Sequence, residues 1–257
     1  MASGQAWPAV PVVPPVSTGF GRKSMAFATR LRRTTNRLRF GMPDRYGHLE
    51  REVAKNKCRR ILEIGVWDGV HSQAMIQAAL RASEASTIEY YGIDLFEDAY
   101  KTEGTLEREA SKRPLRFDEV RARFRHLEDM GVCINLFKGD SKEVLPGLAS
   151  TQPMDLVFVD GGHSFETVAA DWRNVRRLLD GRSVVIFDDY VNAEAVEAGG
   201  YGVNAVVDAI DRGEFVVTFL DPVDRFRHPW GILATRFVRV QMRQTPHDPV
   251  EMGSPRG

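Results

Sequence analysis

The chain has 257 residues, 43% of them hydrophobic, which suits one large globular domain or two small ones with a substantial core. No apolar run approaches the roughly 20 residues needed to cross a membrane, and two cysteines, Cys58 and Cys133, are too few for a disulfide framework or a cysteine-based zinc site. Lys plus Arg equals Asp plus Glu at 35 each, yet residues 1–43 hold no acid and seven bases (Arg22, Lys23, Arg30, Arg32, Arg33, Arg37, Arg39), so 44–257 is an acidic body, which argues against a nucleic-acid substrate.

Residues 1–21 are rich in proline, alanine, glycine and valine and are expected to be disordered. Met25–Phe40 places Phe27, Leu31 and Leu38 roughly on one side of a basic amphipathic helix. Together they form a basic arm over 1–43, readable as a solvated arm, a partner-binding arm or an organellar transit peptide; the expected location of the protein is cytoplasmic. Met42-Pro43-Asp44 marks a turn, and Tyr46–Lys57 reads as a helix leading into the first strand.

The rest is organised around Arg59–His71, R-R-I-L-E-I-G-V-W-D-G-V-H. Ile61, Leu62, Ile64 and Val66 make a run long enough for one buried strand and too short for a helix. Gly65 and Gly69 bracket a tight turn, and His71–Leu80 has helix formers with apolar residues at helical spacing. Strand, glycine turn and helix together open a parallel α/β sheet, where a ligand can lie against a helix N-terminus. The glycines do not follow the G-x-G-x-x-G spacing of a dinucleotide site. Glu63 and Asp68 beside the turn would repel a pyrophosphate and suit a ligand carrying ammonium and sulfonium charges.

Glu89–Asp94 reads as the second strand, its terminal Asp94 placed either to accept from ribose hydroxyls or to cap a helix. Phe96–Leu115 is highly charged and reads as an insertion, a lid or an oligomer contact. Phe117, Val120, Phe124 and Leu127 form one helix face, stopped at Gly131. The third strand, Val132–Phe137, ends at Gly139-Asp140-Ser141, where a helix cap is an equal reading. Met154–Val159 is the fourth, ending at Asp160-Gly161-Gly162-His163; Ser164 is an N-cap for the helix running through Phe165, Val168, Trp172, Val175 and Leu179. Ser183–Phe187 is the fifth, ending at Asp188-Asp189-Tyr190. Tyr201–Arg212 reads as a helix, Glu214–Leu220 and Gly231–Val240 as two further strands, and 243–257 as a loose tail. The expected fold is therefore an α/β doubly wound, mostly parallel sheet with an antiparallel C-terminal edge hairpin, its domain spanning 44–242.

Strand C-termini of such a sheet gather at one edge, so Asp160, His163, Asp188 and Asp189 are expected together. Three carboxylates in one crevice repel one another unless something positive sits among them, and hard oxygen ligands suit Mg²⁺, Ca²⁺ or Mn²⁺. Taken singly, the acids could be a solvated loop start and His163 a helix-terminal polar residue.

The Glu63-x-Gly65-x-x-x-Gly69 turn resembles the first motif of class I S-adenosylmethionine-dependent methyltransferases. Asp160-Gly161-Gly162-His163 with Asp188-Asp189-Tyr190 resembles the metal-dependent O-methyltransferases that act on sugars and natural products. The resemblance covers about Arg59 to Tyr190. It implies donor contacts from Glu63, Gly65, Trp67, Asp68, Gly69, Ser72, Asp94, Asp140 and Ser141, and a Mg²⁺ or Mn²⁺ ion on Asp160, Asp188 and Asp189. It also implies Asp160 and His163 as catalytic residues, with His163 as general base, and a small hydroxylated acceptor. Tyr190, Tyr201, Phe226 and Trp230 are candidates to line the acceptor pocket. A bulkier residue at Gly65 is expected to abolish donor binding with the fold intact. A donor-binding scaffold without catalysis and a nucleic-acid methyltransferase are the competing readings, and a homo-oligomer is left open.

Overall fold

The computed structural model describes residues 44–82, 87–101, 115–148, 152–198, 201–228 and 230–243. The basic arm, residues 102–114 of the charged insertion and residues 244–257 of the tail lie outside them. The parallel strands are β1 (Arg60–Ile64), β2 (Ile88–Asp94), β3 (Val132–Lys138), β4 (Leu156–Val159) and β5 (Val184–Val191). The last three strands, β6 (Phe215–Phe219), β7 (Asp224–His228) and β8 (Gly231–Met242), are joined to them antiparallel. Among the described residues the sheet order is β3-β2-β1-β4-β5-β8-β6, with β7 pairing the first half of β8.

The helices are α1 (Gly47–Lys55), α2 (Val70–Ala82), α3 (Phe117–Glu128), α4 (Ser141–Gly147), α5 (Phe165–Val175), α6 (Ala193–Ala198) and α7 (Gly202–Asp208). A short 3₁₀ turn, Asp44–Tyr46, precedes α1. Strict alternation along the central strands feeds two cores. Ile61, Leu156, Phe158, Val184 and Ile186 point to the face covered by α1, α2 and α3. Leu62, Val157, Val159, Val185 and Phe187 point to the face covered by α4, α5 and α7. Each such aliphatic side chain contributes about 1.5–3 kcal/mol on burial, which is why both faces must be covered. The sheet is thus doubly wound and mostly parallel, with an antiparallel edge, as the alternation of elements predicts.

The register aligns the strand ends that matter. Ile64 pairs Ile93 on one side and Val159 on the other, Val159 pairs Phe187, and Asp94 pairs Lys138. Gly65, Asp94, Gly139, Asp160 and Asp188 therefore stand in one row across the C-terminal edge. The order of connection reverses between β1 and β4, and that switch point is where open α/β sheets form their ligand crevice.

Three local differences from the sequence reading have physical causes. Between the two expected C-terminal strands the chain adds a third, Asp224–His228, because the long β8 has room for two antiparallel partners in succession. The helix expected over Tyr201–Arg212 is shorter, Gly202–Asp208. Most consequentially, β5 does not stop at Phe187. It continues through Asp188 and Asp189 with a bulge: Phe187 pairs Val238 but Tyr190 pairs Arg236, so one extra residue is accommodated on β5. Asp189 takes a left-handed conformation there, φ 57°.

Candidate active site

The glycine turn is built by close approach. Gly65 has φ 93°, and a Cβ on it would lie 1.9 Å from the carbonyl oxygen of Asp160, so only glycine lets the ends of β1 and β4 meet. Asp94 then fastens the turn from the neighbouring strand. Its carboxylate accepts from the backbone N–H of Trp67 at 2.7 Å and of Phe96 at 2.6 Å. Trp67 itself is exposed and left-handed, φ 48°. Asp68 accepts from Val70 N at 3.0 Å at the start of α2 and lies 3.8 Å from Arg123 on α3.

Glu63 is not at the crevice surface. It is fully buried beneath the turn, where Ser72 Oγ and Tyr90 OH both meet its Oε2, and Tyr90 OH lies 2.9 Å from Ser72 Oγ. Burial pushes its carboxyl up to about 8, against the pull of the Ser72 and Tyr90 hydrogen bonds. The sequence reading counted Glu63 as a second negative charge beside the ligand. In the folded protein burial favours its neutral form, because desolvation of a carboxylate outweighs the hydroxyl hydrogen bonds it receives.

This has a stability consequence. The folded-state pKa lies above that of an unfolded glutamate, so the native state holds a proton that the unfolded chain releases. Stability from this group is complete below about pH 4.5 and is lost as pH rises towards about 8. The slope should reach roughly 1 kcal/mol per pH unit. Denaturant titrations at several pH values in that window should show it in the wild type and not in Glu63→Gln. Equal slopes in both proteins would refute the assignment.

At the far end of the row, Asp140 caps α4 by accepting from Lys142 N at 2.9 Å, and Ser141 is buried at the first helical position. Ser164 caps α5 as its sequence context predicts, accepting from Thr167 N at 3.2 Å.

Consecutive residues of a strand point to opposite faces, and Asp188 and Asp189 accordingly meet different partners on either side of the register shift. Asp189 Oδ2 lies 2.9 Å from His163 Nε2. The His163 ring stacks near Tyr201, 5.8 Å between centroids, and its carbonyl accepts from Gly202 N at 2.7 Å. β4, β5 and the start of α7 thus converge on one histidine.

Asp188 faces the other way and is buried against Arg45. The guanidinium donates through Nε to Oδ1 at 2.8 Å and through Nη2 to Oδ2 at 3.0 Å. Tyr46 OH donates to Oδ2 at 2.8 Å and Asp189 N to Oδ1 at 2.6 Å. Arg45 also reaches Asp224 at 3.0 Å and Asp189 at 3.7 Å. Burial and the neighbouring Asp189 push the Asp188 carboxyl up from its ordinary range, and the Arg45 fork opposes them. Burial also raises Tyr46, so its hydroxyl stays a donor at neutral pH. Sequence reasoning missed Arg45, Tyr46 and Asp224, since nothing in a D-R-Y triplet after a proline marks a partner for an acid 143 residues away.

The expected metal set meets a chemical obstacle at Asp188. Asp160, Asp188 and Asp189 do stand at adjacent strand ends, but Asp188 has four donors on its two oxygens, which fill the four lone-pair positions of a carboxylate. The residues present therefore do not fit a divalent ion on Asp188. Among the described residues, no group of three or more His, Cys, Asp or Glu is arranged to hold a metal.

Of the aromatic candidates for the acceptor pocket, Tyr201 reaches His163. Tyr190 instead donates to Asp208 at 3.0 Å and packs on Phe219. Phe226 and Trp230 line a groove of about 650 Å³ along β7 and β8, with Asn192, Glu194, Arg225 and Arg227.

Comparison with known proteins agrees with this architecture. No curated protein matches the chain. Several solved structures share the fold. The O-methyltransferase TomG from Streptomyces achromogenes, solved with SAM, is 18% identical with a TM-score of 0.52, covering 88% of this chain and 92% of its own. An O-methyltransferase from Bacillus cereus, solved with SAH, is 14% identical with a TM-score of 0.55, covering 86% and 91%. The O-methyltransferase NovP is 19% identical with a TM-score of 0.56, covering 78% and 80%. Residues 62–190, the segment from β1 to the bulge of β5, match the family model described as a methyltransferase domain. The chain belongs to the methyltransferase-domain family.

Proposed function

We propose that this protein transfers a methyl group from S-adenosylmethionine to a hydroxyl of a small polyhydroxylated molecule, with His163 as the general base. The observation that carries the reading is the 2.9 Å contact between His163 Nε2 and Asp189, at the ends of β4 and β5 and beside the β1 turn. In the proposed step the acceptor oxygen forms a bond to the methyl carbon as the carbon–sulfur bond breaks. Sulfur leaves as a neutral thioether, and the hydroxyl proton goes to the base. The imidazole takes this proton, and the Asp189 carboxylate 2.9 Å away stabilises the imidazolium as it forms.

The donor is assigned to the crevice at the switch point, bounded by the Gly65–Gly69 turn, Asp94 and the Asp140–Ser141 corner. Two fold relatives were solved with SAM or SAH, which supports the choice of donor. Asp160 follows β4 beside the β1 turn, three residues before His163, and its charge helps raise the Tyr46 hydroxyl's pKa. The divalent ion implied by the sequence resemblance is left out of the proposal, because Asp188 has no oxygen to give it.

Calorimetric titration of the full chain with S-adenosylmethionine should show one donor bound per chain at sub-millimolar concentration. Transfer of labelled methyl to a panel of polyols, sugars and phenols should follow. No heat at millimolar donor would end the proposal. Donor binding with no transfer to any acceptor would favour the scaffold reading instead.

A further inference from the structure

The acid cluster already contains a cation. Three carboxylates, Asp188, Asp189 and Asp224, lie 2.8, 3.7 and 3.0 Å from the Arg45 guanidinium, whose side chain is only 6% exposed. We propose that Arg45 is the resident cation of this cluster and that the acceptor side of the crevice works without a bound divalent ion.

Charge balance alone would allow either an arginine or a metal among three carboxylates. Coordination separates them. A divalent ion needs carboxylate oxygens with open lone pairs, and Mg²⁺ needs six oxygens at about 2.0–2.1 Å in near-octahedral order. Asp188, the central acid, offers none: Arg45 Nε, Arg45 Nη2, Tyr46 OH and Asp189 N occupy its two oxygens. The planar fork matches a carboxylate in a way that a lysine could not, and a guanidinium keeps its charge throughout the accessible pH range.

Arg45 is also anchored from outside the cluster. Tyr46 stacks on His71 with ring centroids 3.6 Å apart and planes 5° from parallel, and it packs edge-on against Phe158 and Phe237. The Arg45 guanidinium lies 4.7 Å from the Tyr46 ring centroid and 5.5 Å from that of Phe237. Withdrawing Arg45 would strip the buried Asp188 of its ion pair and break these contacts. The same guanidinium faces Asp189 Oδ1, and the other oxygen of that carboxylate meets His163. One cation thus offsets part of the charge of all three carboxylates and contacts the partner of the proposed base.

The inference takes its site from the function proposed above, but its test uses neither donor nor acceptor, so either can fail alone. Mn²⁺ is titrated into the full-length wild type and followed by electron paramagnetic resonance, with thermal midpoints read in excess chelator and in excess Mg²⁺. The expected result is no bound Mn²⁺ up to millimolar concentration and identical midpoints. One tightly bound Mn²⁺ per chain that disappears in Asp188→Asn would overturn the proposal. Arg45→Met empties the guanidinium position while keeping similar length, and a folded variant should gain a Mn²⁺ site at least tenfold tighter than any in wild type. A folded Arg45→Met that binds no Mn²⁺ would show that Arg45 does not hold an ion's place. Should that variant not fold, the wild-type titration decides the matter by itself.

Discussion

His163→Ala is expected to lower kcat by about 10²–10⁴ while leaving donor affinity nearly unchanged, since general-base help is of that size. The structure makes the experiment clean. The contact of residue 163 with α7 runs through its backbone carbonyl to Gly202 N, and alanine retains it. What the substitution removes is the ring, its contact with Asp189 and its stacking on Tyr201. The ring is partly exposed, so the loss in stability should stay near 1 kcal/mol or below. Asp189→Asn should give a smaller loss in kcat and a changed pH profile, because the histidine keeps its place but loses the charge that stabilises its protonated form. A His163→Ala enzyme with near-normal kcat would remove the base from the mechanism. A large fall in melting temperature with little change in kcat would assign His163 a purely structural role.

Gly65→Ala should destabilise the protein by about 3 kcal/mol or more, at the upper end of single substitutions, because it forces a backbone clash at a left-handed position. The sequence reading expected such a change to cost donor binding alone. The structure corrects this. The new Cβ would sit 1.9 Å from the Asp160 carbonyl oxygen and 2.5 Å from its carbonyl carbon at φ 93°, so β1 and β4 would be driven apart along with any ligand site between them. Gly181→Ala, with nothing within 4 Å of the added carbon, is the control and should change stability by less than about 1 kcal/mol. Denaturant unfolding of the two variants measures the difference. A Gly65→Ala protein as stable as wild type would mean that the two strand ends are not in contact.

What the sequence determined by itself is the part written in local chemistry. Ile61, Leu62 and Ile64, Leu156–Val159 and Val184–Phe187 are short apolar runs, and each is buried on both faces in the folded sheet. Ser164 precedes an amphipathic run and caps it, and Gly65 and Gly69 mark a turn that needs positive φ at both. Strand ends gather at one edge of a parallel sheet whatever their side chains, so Asp160, His163, Asp188 and Asp189 could be placed together from their spacing alone. What tertiary structure decided is what each acid faces. Alternation puts Asp188 and Asp189 on opposite sides of a strand, so Asp188 is buried on Arg45 and Tyr46 while Asp189 meets His163. The sequence reading required a positive charge among these carboxylates and supplied a metal. The fold supplies Arg45, from 143 residues away, through a contact that no local pattern encodes. Glu63 follows the same logic. Its charge depends on how completely Ser72, Tyr90 and the sheet exclude water from it, and desolvation belongs to the packed structure, not to the residue.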